Sequence, residues 1–113
     1  MSDCIFCRIA NKEMPSEIVY EDERVIAFKD INPVAPVHIL IIPKKHIPDM
    51  TAVTEEDAEL IGAVHLAAIK IAREVGVAET GFRLVNNCKE DGGQVVMHLH
   101  YHLIGGRKLG IGV

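Results

Sequence analysis

The chain has 113 residues, 49% of them hydrophobic and 25% charged, with a formal net charge of −4; this length fits one compact domain over residues 1–113 and leaves no room for a second core. The acidic balance and the lack of a basic run argue against nucleic acid as a partner. No apolar run approaches the roughly 20 residues that span a bilayer, and the start MSDCIFCRIANKEMP lacks a signal peptide's charged lead and apolar stretch, so a cytoplasmic protein with no membrane partner is expected.

From the N-terminus, DCIFCRIANKE predicts a short helix with Asp3 as its cap and Ile5, Phe6 and Ile9 at helical spacing. EIVYED and RVIAFKD read as two strands joined by the charged turn Glu21-Asp22-Glu23, and VHILIIP as a third, closed by Pro43. These tight connections suggest an antiparallel meander. A long helix is predicted from Thr54, where TEED offers a cap with a carboxylate three residues on, to about Val75, before Gly76. Its apolar positions Ile61, Val64, Ala68, Ile71 and Val75 follow the helical repeat and are expected to cover one sheet face. GFRLVNNC and VVMHLHYHLI supply two later strands around the loop KEDGGQ, whose paired glycines permit backbone geometry that other residues forbid. The sum is an α+β domain: a five-stranded, mostly antiparallel meander sheet with one long and one short helix.

In VVMHLHYHLIGG, His98, His100 and His102 fall at every second position, so on a strand they share one face while Leu99, Tyr101 and Leu103 share the other. A buried imidazole needs hydrogen-bond partners, which leaves three readings. The first is nucleophilic and acid–base chemistry, because imidazole titrates near neutrality. The second is a metal face, and the third is a polar surface strand without chemistry. Cys4-Ile5-Phe6-Cys7 has the spacing of half a tetrahedral zinc site, and it equally suits a redox pair or two buried thiols. With three cysteines and no secretory signal, a disulfide framework is a poor explanation. His65 reads as a solvated helix residue and Cys88 as a small core residue.

HLHYHLIGG also has the HxHxHxx form that names the histidine triad (HIT) superfamily of nucleotidyl hydrolases and transferases. IFCRI, EIVYEDERVIAFKDINPVAPVHILIIPKKHI and DGGQ resemble successive blocks of its Hint branch, so the resemblance runs from about Asp3 to Arg107. It implies a HIT-like fold and a purine nucleoside phosphoramidase activity. Such an enzyme releases AMP or GMP from P–N-linked amines through a covalent nucleotidyl-histidine and uses no catalytic cofactor. A diadenosine-polyphosphate hydrolase or a nucleotidyl transferase would use the same nucleophile; a nucleotide-binding interaction protein with incidental catalysis is the alternative from another class. The resemblance also implies a homodimer in which the long helix and the strand of GFRLVNNC pair across a two-fold axis.

By the same resemblance, His100 matches the attacking histidine and His102 the one that contacts the phosphoryl oxygens and the leaving-group side. His38 matches a strand histidine of an orienting or proton-relay network. Asp30 matches the carboxylate that accepts both ribose hydroxyls, with Phe28 and Ile31 lining the base pocket; Ile5, Phe6 and Ile9 either complete that pocket or simply pack the core. Asn87, eleven residues before His98, matches an asparagine near the phosphate, with Asn86 as its competitor. Gly92, Gly93 and Gln94 resemble a phosphate-approach loop, where backbone N–H groups reach an oxyanion. Val95 stands where several relatives carry a hydroxyl, so it offers the phosphate only its backbone N–H. The sequence closes on GGRKLGIGV without the longer tail of some relatives, which bears on leaving-group selectivity. Some bacterial Hint-like proteins complete a structural zinc site on the CxxC with the histidines that here are His46 and His98. A Cys4-Cys7-His46-His98 set of that kind would take His98 out of catalysis.

Overall fold

The computed structural model describes residues 3–111. In chain order it contains helix α1 (Ile5–Ala10), strands β1 (Ile18–Glu21), β2 (Val25–Lys29) and β3 (Val37–Pro43), helix α2 (Ala58–Glu74), and strands β4 (Phe82–Asn86) and β5 (Tyr101–Gly105). The sheet order is β1-β2-β3-β5-β4, and every neighbouring pair is antiparallel. The first three strands form the expected meander. β5 then enters between β3 and β4, so the strand bearing His102 is hydrogen-bonded on both sides and β4 becomes an edge.

Side chains alternate across the sheet and are covered on both faces, which is why β2 and β3 read as nearly unbroken apolar runs. Val25, Ala27, Ile39, Ile41, Tyr101 and Leu103 meet Val64, Ala67, Ala68, Ile71 and Ala72 of α2. On the opposite face Ile26, Phe28, Leu40 and Ile42 lie under Phe6 and Ile9 of α1. Each fully buried side chain of this size favours the fold by about 1.5–3 kcal/mol relative to exposure, so both helices are fixed chiefly by these contacts. No helix among the described residues is long and apolar enough to cross a membrane.

Several boundaries differ from expectation, each for a local reason. The cap of α1 is Cys4 rather than Asp3, because the Cys4 sulfur accepts the Cys7 N–H at 3.4 Å. TEED closes first as a 3-10 turn over Glu55–Asp57, and α2 starts at Ala58. There the Asp57 carboxylate accepts the Thr54 N–H at 3.1 Å and is held by Lys45 at 2.6 Å. Val64, Ala68 and Ile71 are buried and Ile61 is half-buried, whereas Val75 is exposed because it is the C-cap where the chain turns away. Cys88 is half-buried rather than core, with its sulfur 4.0 Å from the Asp49 carboxylate, since it opens the loop after β4. His65 is exposed as expected, yet it has a partner: its Nε2 lies 3.3 Å from the Tyr101 hydroxyl.

The strand expected over VVMHLHYHLI begins only at Tyr101, so His98 and His100 precede the ladder. The Leu99 N–H donates to the Ile47 carbonyl at 2.6 Å, and the Asn86 side-chain amide donates to the His100 carbonyl at 2.9 Å. The alternation outlasts the strand. Leu99 is fully buried on the α2 side, while the rings of His98 and His100 contact Phe6 on the other.

Candidate active site

Burial and two backbone carbonyls fix the triad imidazoles. The His100 Nδ1 donates to the His98 carbonyl at 2.7 Å, because a carbonyl can only accept. Its proton is thereby placed on Nδ1, and Nε2 keeps a free lone pair. Burial pushes the His100 pKa down, against the opposing effects of the His98 carbonyl and the Asp30 charge, and this favours the neutral, nucleophilic ring. Phe6 presents its edge to this ring at a centroid separation of 5.0 Å and an interplanar angle of 86°.

A second chain of bonds fixes His102. The Val34 N–H donates to the His38 Nδ1 at 3.1 Å, so that nitrogen carries no proton and the ring proton sits on Nε2. The His38 Nε2 lies 2.9 Å from the His102 Nδ1 and 3.4 Å from an Asp30 oxygen. It therefore donates to His102, whose own proton is displaced to Nε2. Burial, then the neighbouring His100 and His38, push the His102 pKa down to about 4, with Asp30 opposing. Near neutral pH the ring is thus an uncharged Nε2–H donor beside the bare Nε2 of His100, with ring centroids 5.2 Å apart.

Asp30, His38 and His102 also lie close enough together to grip an ion. The tautomers argue against it: a metal on the His38 Nε2 would drive the ring proton to Nδ1, against the Val34 N–H. These three groups form a hydrogen-bond relay.

Cys4, Cys7, His46 and His98 behave differently. Their four ligand atoms all lie within 4.8 Å of one another, and the group can hold a metal ion. The His98 Nδ1 is 3.3 Å from the Cys4 sulfur, 3.4 Å from the Cys7 sulfur and 3.2 Å from the His46 Nδ1, and the Cys7 sulfur is 3.2 Å from the His46 Nδ1. A tetrahedral zinc with two sulfur and two nitrogen ligands has edges of about 3.3–3.8 Å, so this spacing fits. The fully buried His98 gives its Nε2–H to the Pro43 carbonyl at 2.8 Å, which leaves Nδ1 unprotonated and aimed into the cluster. Burial lowers the His98 pKa further, favouring the ligating form.

The expected base-pocket residues come together. Ile5, Phe6, Ile9, Phe28, Asp30 and Ile31 surround one mainly apolar pocket of about 190 Å³. Ile31 is at its rim, 92% exposed. Met14, Pro15, Ser16, Lys29 and Leu40 complete the lining. No sequence pattern marked Met14, Pro15 or Ser16, which lie in an irregular connection; Leu40 could have been found from its even-numbered register with His38 on β3. Asp30 sits at the mouth, one oxygen accepting the Asn32 N–H at 2.8 Å and the other facing His38.

The glycine loop holds itself. A Cβ on Gly92 would lie 2.4 Å from the Cys88 carbonyl oxygen, and Gly93 has φ of 81°. The Gly93 and Gln94 N–H groups donate to the Glu90 and Lys89 carbonyls. The Gln94 side chain turns inward, accepting from the Lys89 N–H at 2.7 Å and donating to the Pro48 and Val96 carbonyls. Gln94 thus braces the loop, and what the loop presents outward is Val95, 88% exposed and bordering the same groove as Cys4 and His46. Of the asparagine pair, Asn86 reaches the histidine segment through its amide, and Asn87 sits half-buried just past β4.

Fold and site together define a small α+β protein with paired neutral imidazoles next to an apolar, carboxylate-rimmed pocket. The chain belongs to the HIT family: the model of the HIT domain matches residues 11–109. It is 49% identical over 108 residues to the purine nucleoside phosphoramidase of Escherichia coli (strain K12), covering 96% of this chain and 91% of that protein. A histidine triad protein from Clostridium difficile superposes with a TM-score of 0.96 at 51% identity, covering 100% of this chain and 98% of that one. A HIT family hydrolase from Legionella pneumophila Philadelphia 1 does so with a TM-score of 0.93 at 48% identity, over 95% of this chain and 96% of that one. The chain is an enzyme of this HIT hydrolase type.

Proposed function

We propose that the protein, as a single HIT domain over residues 1–113, is a purine nucleoside phosphoramidase that releases AMP or GMP from P–N-linked amines. The observation that carries this reading is the tautomer pair: a bare Nε2 on His100 beside an Nε2–H donor on His102. The His100 Nε2 attacks the α-phosphorus, the P–N bond breaks, and the nitrogen leaves as the amine with a proton from solvent. Water then attacks the nucleotidyl-imidazole, frees His100 and returns the proton. His102 donates to the phosphoryl oxygens and the leaving-group side, where charge develops, and His38 holds it in the donating tautomer. Asp30 accepts the ribose hydroxyls, and the purine enters the pocket of Phe6, Ile9 and Phe28, with Ile5 and Ile31 at its margin. Asn87, Gly93, Gln94 and the Val95 N–H lie on the phosphate side. Splitting one displacement into two in a fixed geometry is where covalent catalysis gains.

Cys4, Cys7, His46 and His98 hold a structural zinc, which ties α1 to the histidine segment and supplies no catalytic step. The protein works in the cytoplasm as a homodimer. Leu66 and Ile69 on α2 are 61% and 41% exposed and β4 is an edge strand, which supports pairing through α2 and β4.

The test is turnover of a model adenosine phosphoramidate with mass spectrometry of a quenched reaction. His100→Ala lowers turnover by at least about three orders of magnitude, and the trapped AMP adduct maps to His100. An adduct on another residue overturns the assignment, and preferential turnover of a diadenosine polyphosphate reassigns the leaving group.

A further inference from the structure

We propose that Arg107 is a positioning residue for the reaction, acting through the Val34 backbone to set the tautomers of His38 and His102. The proposal rests on the reading of His102 as the phosphoryl-side donor. The Arg107 Nη2 donates to the Val34 carbonyl at 2.9 Å, and the N–H of the same Val34 donates to the His38 Nδ1 at 3.1 Å. The path continues from the His38 Nε2 to the His102 Nδ1 at 2.9 Å. One surface guanidinium is thus three hydrogen-bonded steps from the ring that faces the phosphate.

Val34 needs such an anchor. It lies in the irregular connection between β2 and β3, and its side chain is 57% exposed, so burial does not hold it. Its position depends on the groups bonded to its backbone. The turn that delivers Arg107 is shaped for the purpose: Gly106 has φ of 91°, and a Cβ there would lie 2.9 Å from the Pro36 Cβ. The chain therefore turns tightly against the β2–β3 connection before Arg107 reaches back across it. A second donation, from the Arg107 Nη1 to the Lys108 carbonyl at 3.1 Å, fixes the guanidinium.

The consequence follows from proton placement. With the Val34 N–H in place, the His38 Nδ1 cannot hold a proton, and the His102 Nε2 must. If Val34 drifts, the His38 proton is free to move to Nδ1, and the His102 Nδ1 loses the donor that keeps it bare. His102 then samples the tautomer whose Nε2 has no proton, and the phosphate loses a donor without any change in the residues that touch it.

The experiment is ring-nitrogen NMR of the full chain, read alongside steady-state kinetics with an adenosine phosphoramidate. In the wild type, His38 shows a protonated Nε2 and a bare Nδ1. Arg107→Met, which keeps an unbranched side chain but no donor, is expected to show a mixture at His38. It lowers kcat about tenfold with KM within about twofold, a loss below the roughly 100-fold that a 1 Å misplacement can cost. Arg107→Lys, which keeps a cationic donor without the guanidinium's fork, recovers part of both. A wild-type His38 pattern together with a wild-type kcat in Arg107→Met overturns the proposal; if that variant does not fold, the same result in Arg107→Ala does so. Because the ring nitrogens report without turnover, a wild type that fails to cleave the phosphoramidate overturns the functional reading and leaves the tautomer result to decide on Arg107.

Discussion

The carbonyl of His98 accepts the Nδ1–H of His100 at 2.7 Å, while the ring of the same His98 points its Nδ1 at Cys4, Cys7 and His46. One residue therefore belongs to two sites, its side chain to the ligand cluster and its backbone to the His100 imidazole. Displacing the ring displaces the carbonyl, so the two sites are mechanically joined.

Metal content tests the cluster. The purified protein is expected to carry one zinc per chain, and Cys7→Ser to lose it, with a fall in Tm of at least about 5 °C, the order expected from losing 1 kcal/mol in a domain of this size. Metal analysis and thermal melts with and without a chelator decide this. Equal melting curves for wild type and variant, both free of zinc, remove the site.

Acid stability tests the state of His102. Its folded-state pKa of about 4 lies below the ordinary value of 6.5, so the unfolded chain takes up a proton that the folded chain refuses. Stability contributed by the neutral ring is present above pH 6.5 and is lost as the pH falls from about 6.5 to about 4. His98 and His100, also lowered by burial, act with the same sign. His102→Gln is expected to flatten the acid limb by roughly 1 kcal/mol per pH unit without abolishing it. Denaturant unfolding between pH 7 and pH 4.5 is the measurement, and parallel curves for the two proteins count against the neutral ring.

Gly92→Ala tests the glycine loop. The added methyl would lie 2.4 Å from the Cys88 carbonyl oxygen and 2.7 Å from its nitrogen, and backbone atoms cannot step aside as a flexible side chain can. The expected cost is about 1–3 kcal/mol of stability. Calorimetry that shows an unchanged melt would mean that residues 88–92 relax freely.

The sheet and the helices were legible because their signals are simple: short apolar runs closed by turns or proline for β2 and β3, a period of two for the histidine segment, and one of 3.6 for Val64, Ala68 and Ile71. The convergence of Cys4 with His98 was a different matter. Ninety-four positions separate them, and no local pattern measures that distance; only the likeness to a known family suggested it. The Arg107–Val34 bond was illegible for another reason, since it ends on a backbone carbonyl, a group every residue carries. The bracing role of Gln94 was illegible for a related reason. The resemblance concerned the loop's backbone N–H groups, and nothing in it showed that the side-chain amide is spent on three backbone groups of its own neighbourhood.

The early end of β5 has a chemical meaning. A strand extended three residues toward the N-terminus would commit the carbonyls of His98 and His100 to its neighbours. Because pairing stops at Tyr101, one of these oxygens is left to an imidazole and the other to the Asn86 amide. A gap in the sheet's own cohesion is thus what leaves His100 its unprotonated Nε2.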